Sequence, residues 1–155
     1  MSSTPLDFQG NVLVDQTCHA RIADFGLTVL SGSIIPNLRI RGGTARWMSP
    51  ELFDSEAQDR CPSKCSDCYA LGMVVYEVLS LCMPFYQYQN RDIPSKVVQG
   101  DRPARPEGAD GVWFTDKVWE VLERCWVPEP QNRPSTKDVL RCLEKGSMSR
   151  VPPSR

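Results

Sequence analysis

Histidine is almost absent from this sequence: His19 is the only one among 155 residues. That removes the usual neutral metal ligand and general base from nearly every position. Charge of one sign is absent too, since 18 Lys and Arg stand against 19 Asp and Glu for a formal net charge of −1. A chain so balanced has no electrostatic footprint for DNA, RNA or an anionic membrane surface. Its basic residues are spread out, with a loose concentration near Arg102 and Arg105. Neither nucleic acid nor membrane is expected as a partner.

Long apolar runs are missing as well. The most apolar stretch, Cys68 to Phe85, is interrupted by Glu77, Ser80 and Pro84, which suits a buried helix better than a transmembrane span. Asp7, Asp15, Arg21 and Asp24 fall early in the chain, where no signal-peptide apolar region tolerates them. The expected location is therefore cytoplasmic or nuclear. A hydrophobic content of 41% and a charged content of 24% are those of one globular domain with an ordinary core.

The seven cysteines are an odd count without a secretory signal, so a disulfide framework is not expected. Cys61, Cys65 and Cys68 form a C-x3-C-x2-C cluster. A structural zinc site takes four ligands, yet His19 is remote and no second cysteine pair has matching spacing. Reduced thiols filling helix surfaces and core are the preferred reading; a zinc or redox module is the alternative.

Val12-Leu13-Val14 and Ala20-Arg21-Ile22-Ala23 read as two strands of a hairpin around Asp15–His19. Residues 27–48 form a long irregular segment, of the kind that in compact domains carries function or is disordered. Ser49-Pro50-Glu51 opens a short helix, with Pro and Glu in its first turn. Asp67 through Leu81 is apolar nearly all round, predicting a helix buried on most sides and ended by Pro84. Gly100 to Gly111 reads as a surface connection. Val118, Val121, Leu122, Cys125 and Trp126 fall on one helical face, stopped by Pro128 and Pro130. Ser135-x-x-Asp138 resembles a capping box before a last helix with Val139, Leu140 and Leu143 inward. Disorder is expected over the tail, residues 146–155.

Asn11 precedes the first strand and Asp24 follows the second, so an antiparallel hairpin carries both oxygen donors to its open end. Magnesium takes few protein oxygens and completes its shell with water and phosphate. As an isolated pair, the two side chains are more simply read as strand caps.

The pair is not isolated. Asn11-Val-Leu-Val, Asp24-Phe25-Gly26 and Gly43-Thr44-Ala-Arg-Trp-Met-Ser49-Pro50-Glu51 follow in the order and spacing of protein kinases. Ser66-Asp67-Cys-Tyr-Ala-Leu-Gly72 resembles the start of that family's long central helix. Cys125-Trp126-x-Pro128-x-Pro130-x-x-Arg133-Pro134 resembles a segment near the domain's C-terminal end. Gly-Thr-x-x-Trp-Met-Ser-Pro-Glu and Cys-Trp-x-Pro-x-Pro resemble the tyrosine-kinase-like group of serine/threonine kinases.

The resemblance implies a mainly α fold, the C-terminal lobe of a kinase with a small β-hairpin and no N-terminal lobe, over residues 11–145. It implies ATP- and magnesium-dependent phosphoryl transfer to protein Ser or Thr. Asp24 would hold the magnesium bridging the ATP phosphates, and Asn11 a second. Leu13, Val74 and Val78 would lie beneath the adenine ring. Phe25 and Gly26 are structural, and Asp67 would brace the catalytic-loop backbone. Leu27 to Ser49 would be the activation segment, with Thr28, Ser31, Ser33 and Thr44 as candidate phosphorylation sites. Glu51 and Arg133 would form a buried ion pair.

The resemblance fails at the N-terminal end. The family's catalytic base is an Asp five residues before the metal-binding Asn, and here that position is Leu6; Asp7 is one place late. The glycine-rich loop and the ATP-binding lysine are not found. Residues 1–10 thus replace the catalytic loop, and the chain is expected to bind ATP weakly and to be inactive. A mis-started or alternatively spliced reading of the gene is the preferred explanation, and a truncated pseudokinase acting as a scaffold the alternative. Either way a missing lobe or a protein partner is the expected neighbour. With no catalytic-loop arginine, Arg39, Arg41 or Arg46 would have to read a phosphate on the activation segment.

Overall fold

The computed structural model describes residues 12–17, 19–22, 44–53, 62–108 and 111–147. The chain divides into two compact units, residues Met1–Ser33 and Ile34–Arg155.

In the first unit, β1 (Val12–Val14) pairs antiparallel with β2 (Ala20–Ile22), with Val12 opposite Ile22, Leu13 opposite Arg21 and Val14 opposite Ala20. One side chain organises the turn. Asp15 Oδ1 accepts from Thr17 N at 2.9 Å, Thr17 Oγ1 at 2.7 Å and His19 N at 3.0 Å, and Oδ2 accepts from Arg21 Nε at 2.9 Å. These bonds, the Thr17 hydroxyl first among them, pull the Asp15 carboxyl down to about 2.

The second unit is helical. Two short 3-10 turns, Thr44–Trp47 and Pro50–Leu52, precede α1 (Lys64–Ser80). This helix begins three residues before the expected Asp67, because Ser63 and Ser66 form a reciprocal capping box: Ser63 Oγ accepts from Ser66 N at 3.2 Å and Ser66 Oγ from Ser63 N at 2.7 Å. Serine in the place of the usual Glu or Gln hides that signal in the sequence. α2 (Ile93–Val98) was not expected; it buries only Ile93 and Val97, one turn apart, and carries a proline in its first turn. α3 (Asp116–Cys125) follows its apolar stripe, with Thr115 Oγ1 capping Val118 N at 3.3 Å. After a 3-10 turn over Pro130–Asn132, α4 runs Thr136–Ser147. It buries Val139 with Cys142 and Leu143 packed alongside, whereas Leu140, expected inward, is exposed. Positions 139, 142 and 143 already fill the stripe that faces the core, and residue 140 turns away from it.

The core sits between α1 and α3. Tyr69, Met73 and Tyr76 of α1 are buried with Phe114, Val118, Val121, Leu122, Cys125 and Trp126. Edge-on and tilted aromatic pairs tie it together: Tyr76–Phe114 at 5.7 Å, Tyr76–Trp126 at 6.1 Å, Phe114–Trp119 at 5.8 Å and Trp119–Trp126 at 5.7 Å. Each such pair adds roughly 0.5–1.5 kcal/mol beyond its buried area. The proline-rich connection before α3 is more than surface. Arg102 donates to the carbonyls of Trp126 at 2.8 Å and Val97 at 3.0 Å, and Pro103 is buried.

Among the described residues no helix is long and apolar enough to cross a membrane. Nor, among them, do three or more His, Cys, Asp or Glu gather to hold a metal ion.

Candidate functional site

Residues 44–53 form only two short 3-10 turns, so side chains must fix their course. Three anchors do so.

Arg46 is the first. Its side chain is buried, and its guanidinium donates to the carbonyls of Pro84 at 2.8 Å, Phe85 at 2.5 Å and Tyr88 at 2.9 Å, and through Nε to Asn90 Oδ1 at 3.0 Å. Phe85 has a φ of 55°, the left-handed region, which costs a non-glycine residue about 1–2 kcal/mol. Burial of its ring and the bond from Arg46 to its carbonyl offset that cost. Arg46 is therefore not a free phosphate reader: four of its five N–H donors are already committed. Arg39 and Arg41 lie outside the described residues.

Trp47 is the second anchor, donating Nε1–H to Glu77 Oε2 of α1 at 3.0 Å. Burial raises the Glu77 carboxyl above its ordinary range, and the indole bond only partly opposes this.

The third joins Glu51 to Arg133. Nη1 meets Oε1 at 2.7 Å and Nη2 meets Oε2 at 2.8 Å. Arg133 spends its remaining capacity on backbone carbonyls, of Val127 at 3.0 Å, Cys65 at 3.1 Å and Pro128 at 3.1 Å. Its guanidinium also lies 5.2 Å from the ring centre of Tyr69, which Arg102 approaches at 5.4 Å. Burial pushes the Tyr69 hydroxyl up to about 12. Desolvation is the largest single influence on Glu51 and would raise its pKa, but the Arg133 hydrogen bonds, a backbone N–H, the Ser49 hydroxyl and the Arg133 charge together outweigh it and hold the carboxyl below its ordinary value.

Other candidates separate by position. Asp67 lies in the first turn of α1, its carboxyl raised by desolvation. On the same helix Val74 is half-buried and Val78 exposed; Leu13, on β1, is also exposed. Thr44 opens the first 3-10 turn. Leu6, Asp7, Asn11, Asp24, Phe25, Gly26, Thr28, Ser31 and Ser33 lie outside the described residues, as does Cys61. In sequence, Asn11 directly precedes β1 and Asp24 comes two residues after β2.

Sequence reasoning missed Arg46 and Trp47 as anchors. Both stand inside a motif already singled out, but an arginine that binds carbonyls leaves no complementary charge to find.

A family model for protein tyrosine and serine/threonine kinases matches residues 9–143. A probable LIM domain-containing serine/threonine-protein kinase of Dictyostelium discoideum is 31% identical over 139 residues, covering 90% of this chain and 13% of the relative. Serine/threonine-protein kinase CTR1 of Arabidopsis thaliana is 29% identical over 143 residues, 92% of this chain and 16% of the relative. The cytoplasmic tyrosine-protein kinase BMX of Mus musculus is 31% identical over 137 residues, 86% of this chain and 20% of the relative. The chain thus spans a fifth or less of the length of each of these three.

Proposed function

We infer the function from family membership, since this chain belongs to the protein tyrosine and serine/threonine kinase family as a tyrosine-kinase-like member. Its 155 residues supply the helical, substrate-facing part of an ATP-dependent protein kinase domain, of Ser/Thr type. The observation that carries this reading is the threefold anchoring of residues 44–53 by Arg46, Trp47 and Glu51. A loop bound to the helical unit at three points is a preorganised platform, and phosphoryl transfer depends on positioning and electrostatics above all. Asp24 and Asn11 are the proposed magnesium ligands, and Leu13 with Asp24 the proposed ATP contacts. Magnesium would neutralise the charge spreading over the transferred phosphoryl group.

By themselves these 155 residues are proposed to transfer no phosphate at a useful rate. They contain no glycine-rich loop and no recognisable ATP-gripping lysine, and Leu6 stands at the base position. Loss of a general base alone costs about 10²–10⁴ in rate. The test is incubation of the purified chain with labelled ATP, magnesium and a generic acceptor protein. No transfer above an Asp24→Ala control is expected; transfer abolished in that control would refute inactivity.

A scaffold role is the second reading, favoured by the exposure of Leu13 on the hairpin and of Leu81, Met83 and Tyr86 after α1. Under this reading a missing N-terminal lobe or a protein partner would cover these apolar groups. Sedimentation as a monomer at high concentration, without binding of a hydrophobic dye, would count against it.

A further inference from the structure

Cys68 of α1 and Cys125 at the end of α3 touch inside the core. Their Sγ atoms are 3.7 Å apart, both are free thiols, and the residues are 1% and 0% exposed. The helices come this close because Gly72, one turn beyond Cys68, has no side chain: a Cβ there would lie 2.8 Å from Cys125 Cβ. A disulfide needs its sulfurs at about 2.05 Å. Sulfurs already in contact reach that distance by side-chain rotation with a small helix shift.

We propose that Cys68 and Cys125 are a site of reversible oxidation, closed by hydrogen peroxide or an organic peroxide into a disulfide that ties α1 to α3. The Cys68 sulfur attacks the peroxide O–O bond, giving a sulfenic acid; the departing oxygen takes the thiol proton and leaves as water, or as an alcohol from an organic peroxide. The Cys125 sulfur then attacks the Cys68 sulfur. An S–S bond forms, the S–O bond breaks, and a water leaves with the Cys125 proton. Two thiols and one peroxide become one disulfide, with two electrons passing to the peroxide. A dithiol reductant reverses the change. Contact with Cys125 and the nearby charge of Arg133 hold the Cys68 thiol below its ordinary pKa despite burial, while Cys125 is pushed up. Peroxide is little larger than water and needs only local opening of the helix ends to enter.

The location gives the bond a consequence. Arg133 donates to the carbonyl of Cys65, one turn before Cys68, and to that of Val127, two residues after Cys125. The disulfide would cross-link the two backbone stretches from which Arg133 holds Glu51, stiffening the base of residues 44–53.

The experiment treats the full chain with stoichiometric hydrogen peroxide, then unfolds it in an alkylating agent and maps its peptides by mass. The untreated chain should take one alkyl group on each of its seven cysteines. The treated chain should take two fewer, with a Cys68–Cys125 cross-linked peptide that a dithiol abolishes. Its melting temperature should rise by more than about 5 °C. A Cys68→Val variant, of similar volume, should keep its fold and show neither change. Full alkylation at both positions after treatment would overturn the proposal. So would a Cys65–Cys68 bond in place of the interhelical one, or a sulfinic acid at Cys68.

Discussion

Arg133 and Glu51, 82 positions apart in sequence, meet as a two-pronged ion pair, with the arginine side chain fully buried and the glutamate 30% exposed. Two parallel hydrogen bonds at 2.7 and 2.8 Å match the planar guanidinium fork to the carboxylate. The same guanidinium closes off three carbonyls, so one side chain joins residues 44–53, the start of α1 and the segment after α3.

Removing that side chain orphans a partly buried carboxylate and several carbonyls together. Arg133→Ala is expected to cost about 3–5 kcal/mol, read as a lower urea midpoint with an unchanged slope. Arg133→Lys should recover little, since an ammonium cannot span both oxygens and the carbonyls at once. A lysine variant as stable as the parent would count against the two-pronged geometry as the source of the effect.

The pair also fixes a pH dependence. Glu51 has a folded-state pKa below its ordinary 4.5, so the unfolded chain binds the proton more readily. The stabilisation is fully present above the unfolded value and is lost as pH falls from about 4.5 through the folded one. Asp67 and Glu77 are shifted upward and act in the opposite sense, favouring the folded state as they take up protons. Comparison with Glu51→Gln isolates the pair. The stability difference between parent and variant should be large at pH 7 and shrink below pH 4.5, measured by urea unfolding across that range. A difference independent of pH would show that the Glu51 charge is not what the pair uses.

The extent to which this fold is legible in sequence follows from where each signal resides. α3 declares itself because Val118, Val121, Leu122 and Cys125 repeat on one face and all four are buried. The hairpin declares itself through two short apolar runs around a polar turn. α2 does not, because two inward residues around a proline make no period. Leu140 misleads because hydrophobicity alone does not say which side of a helix faces the core. At the candidate site, the Glu51–Arg133 pair is legible through the resemblance of the two motifs that carry it. Arg46 is not: its partners are carbonyls, which every residue possesses.

Arg46 should therefore behave as a structural anchor. Arg46→Ala removes the guanidinium from the carbonyls of Pro84, Phe85 and Tyr88, of which Phe85 keeps its bond from Tyr88 N, and should cost about 3 kcal/mol. Hydrogen exchange should show faster amides at Met48, Leu52 and Phe53, which bond within residues 44–53. Because four of the five N–H donors of Arg46 are committed, Ser31→Glu or Ser33→Glu should leave those same amides unchanged. Increased protection in either glutamate variant would mean that a phosphate reader exists after all.

Gly72 marks a close approach between α1 and α3, and it makes the sharpest packing prediction. A Cβ at this position would sit 2.7 Å from Trp126 Nε1 and 2.8 Å from Cys125 Cβ. Neither neighbour can give way easily. Trp126 is 2% exposed and packed edge-on against both Tyr76 and Trp119, and Cys125 is wholly buried against Cys68. In an exposed helix interior, glycine to alanine would stabilise by roughly 1 kcal/mol through helix propensity. Here overpacking costs about 1–3 kcal/mol, so the expected sign is reversed. Gly72→Ala should lower the urea midpoint and, by separating α1 from α3, slow formation of the Cys68–Cys125 disulfide under peroxide. Paired with Trp126→Phe, which removes the indole nitrogen, part of the loss should return. A Gly72→Ala variant more stable than the parent would show that α1 and α3 are free to move apart, and that the close approach is not a fixed property of the core.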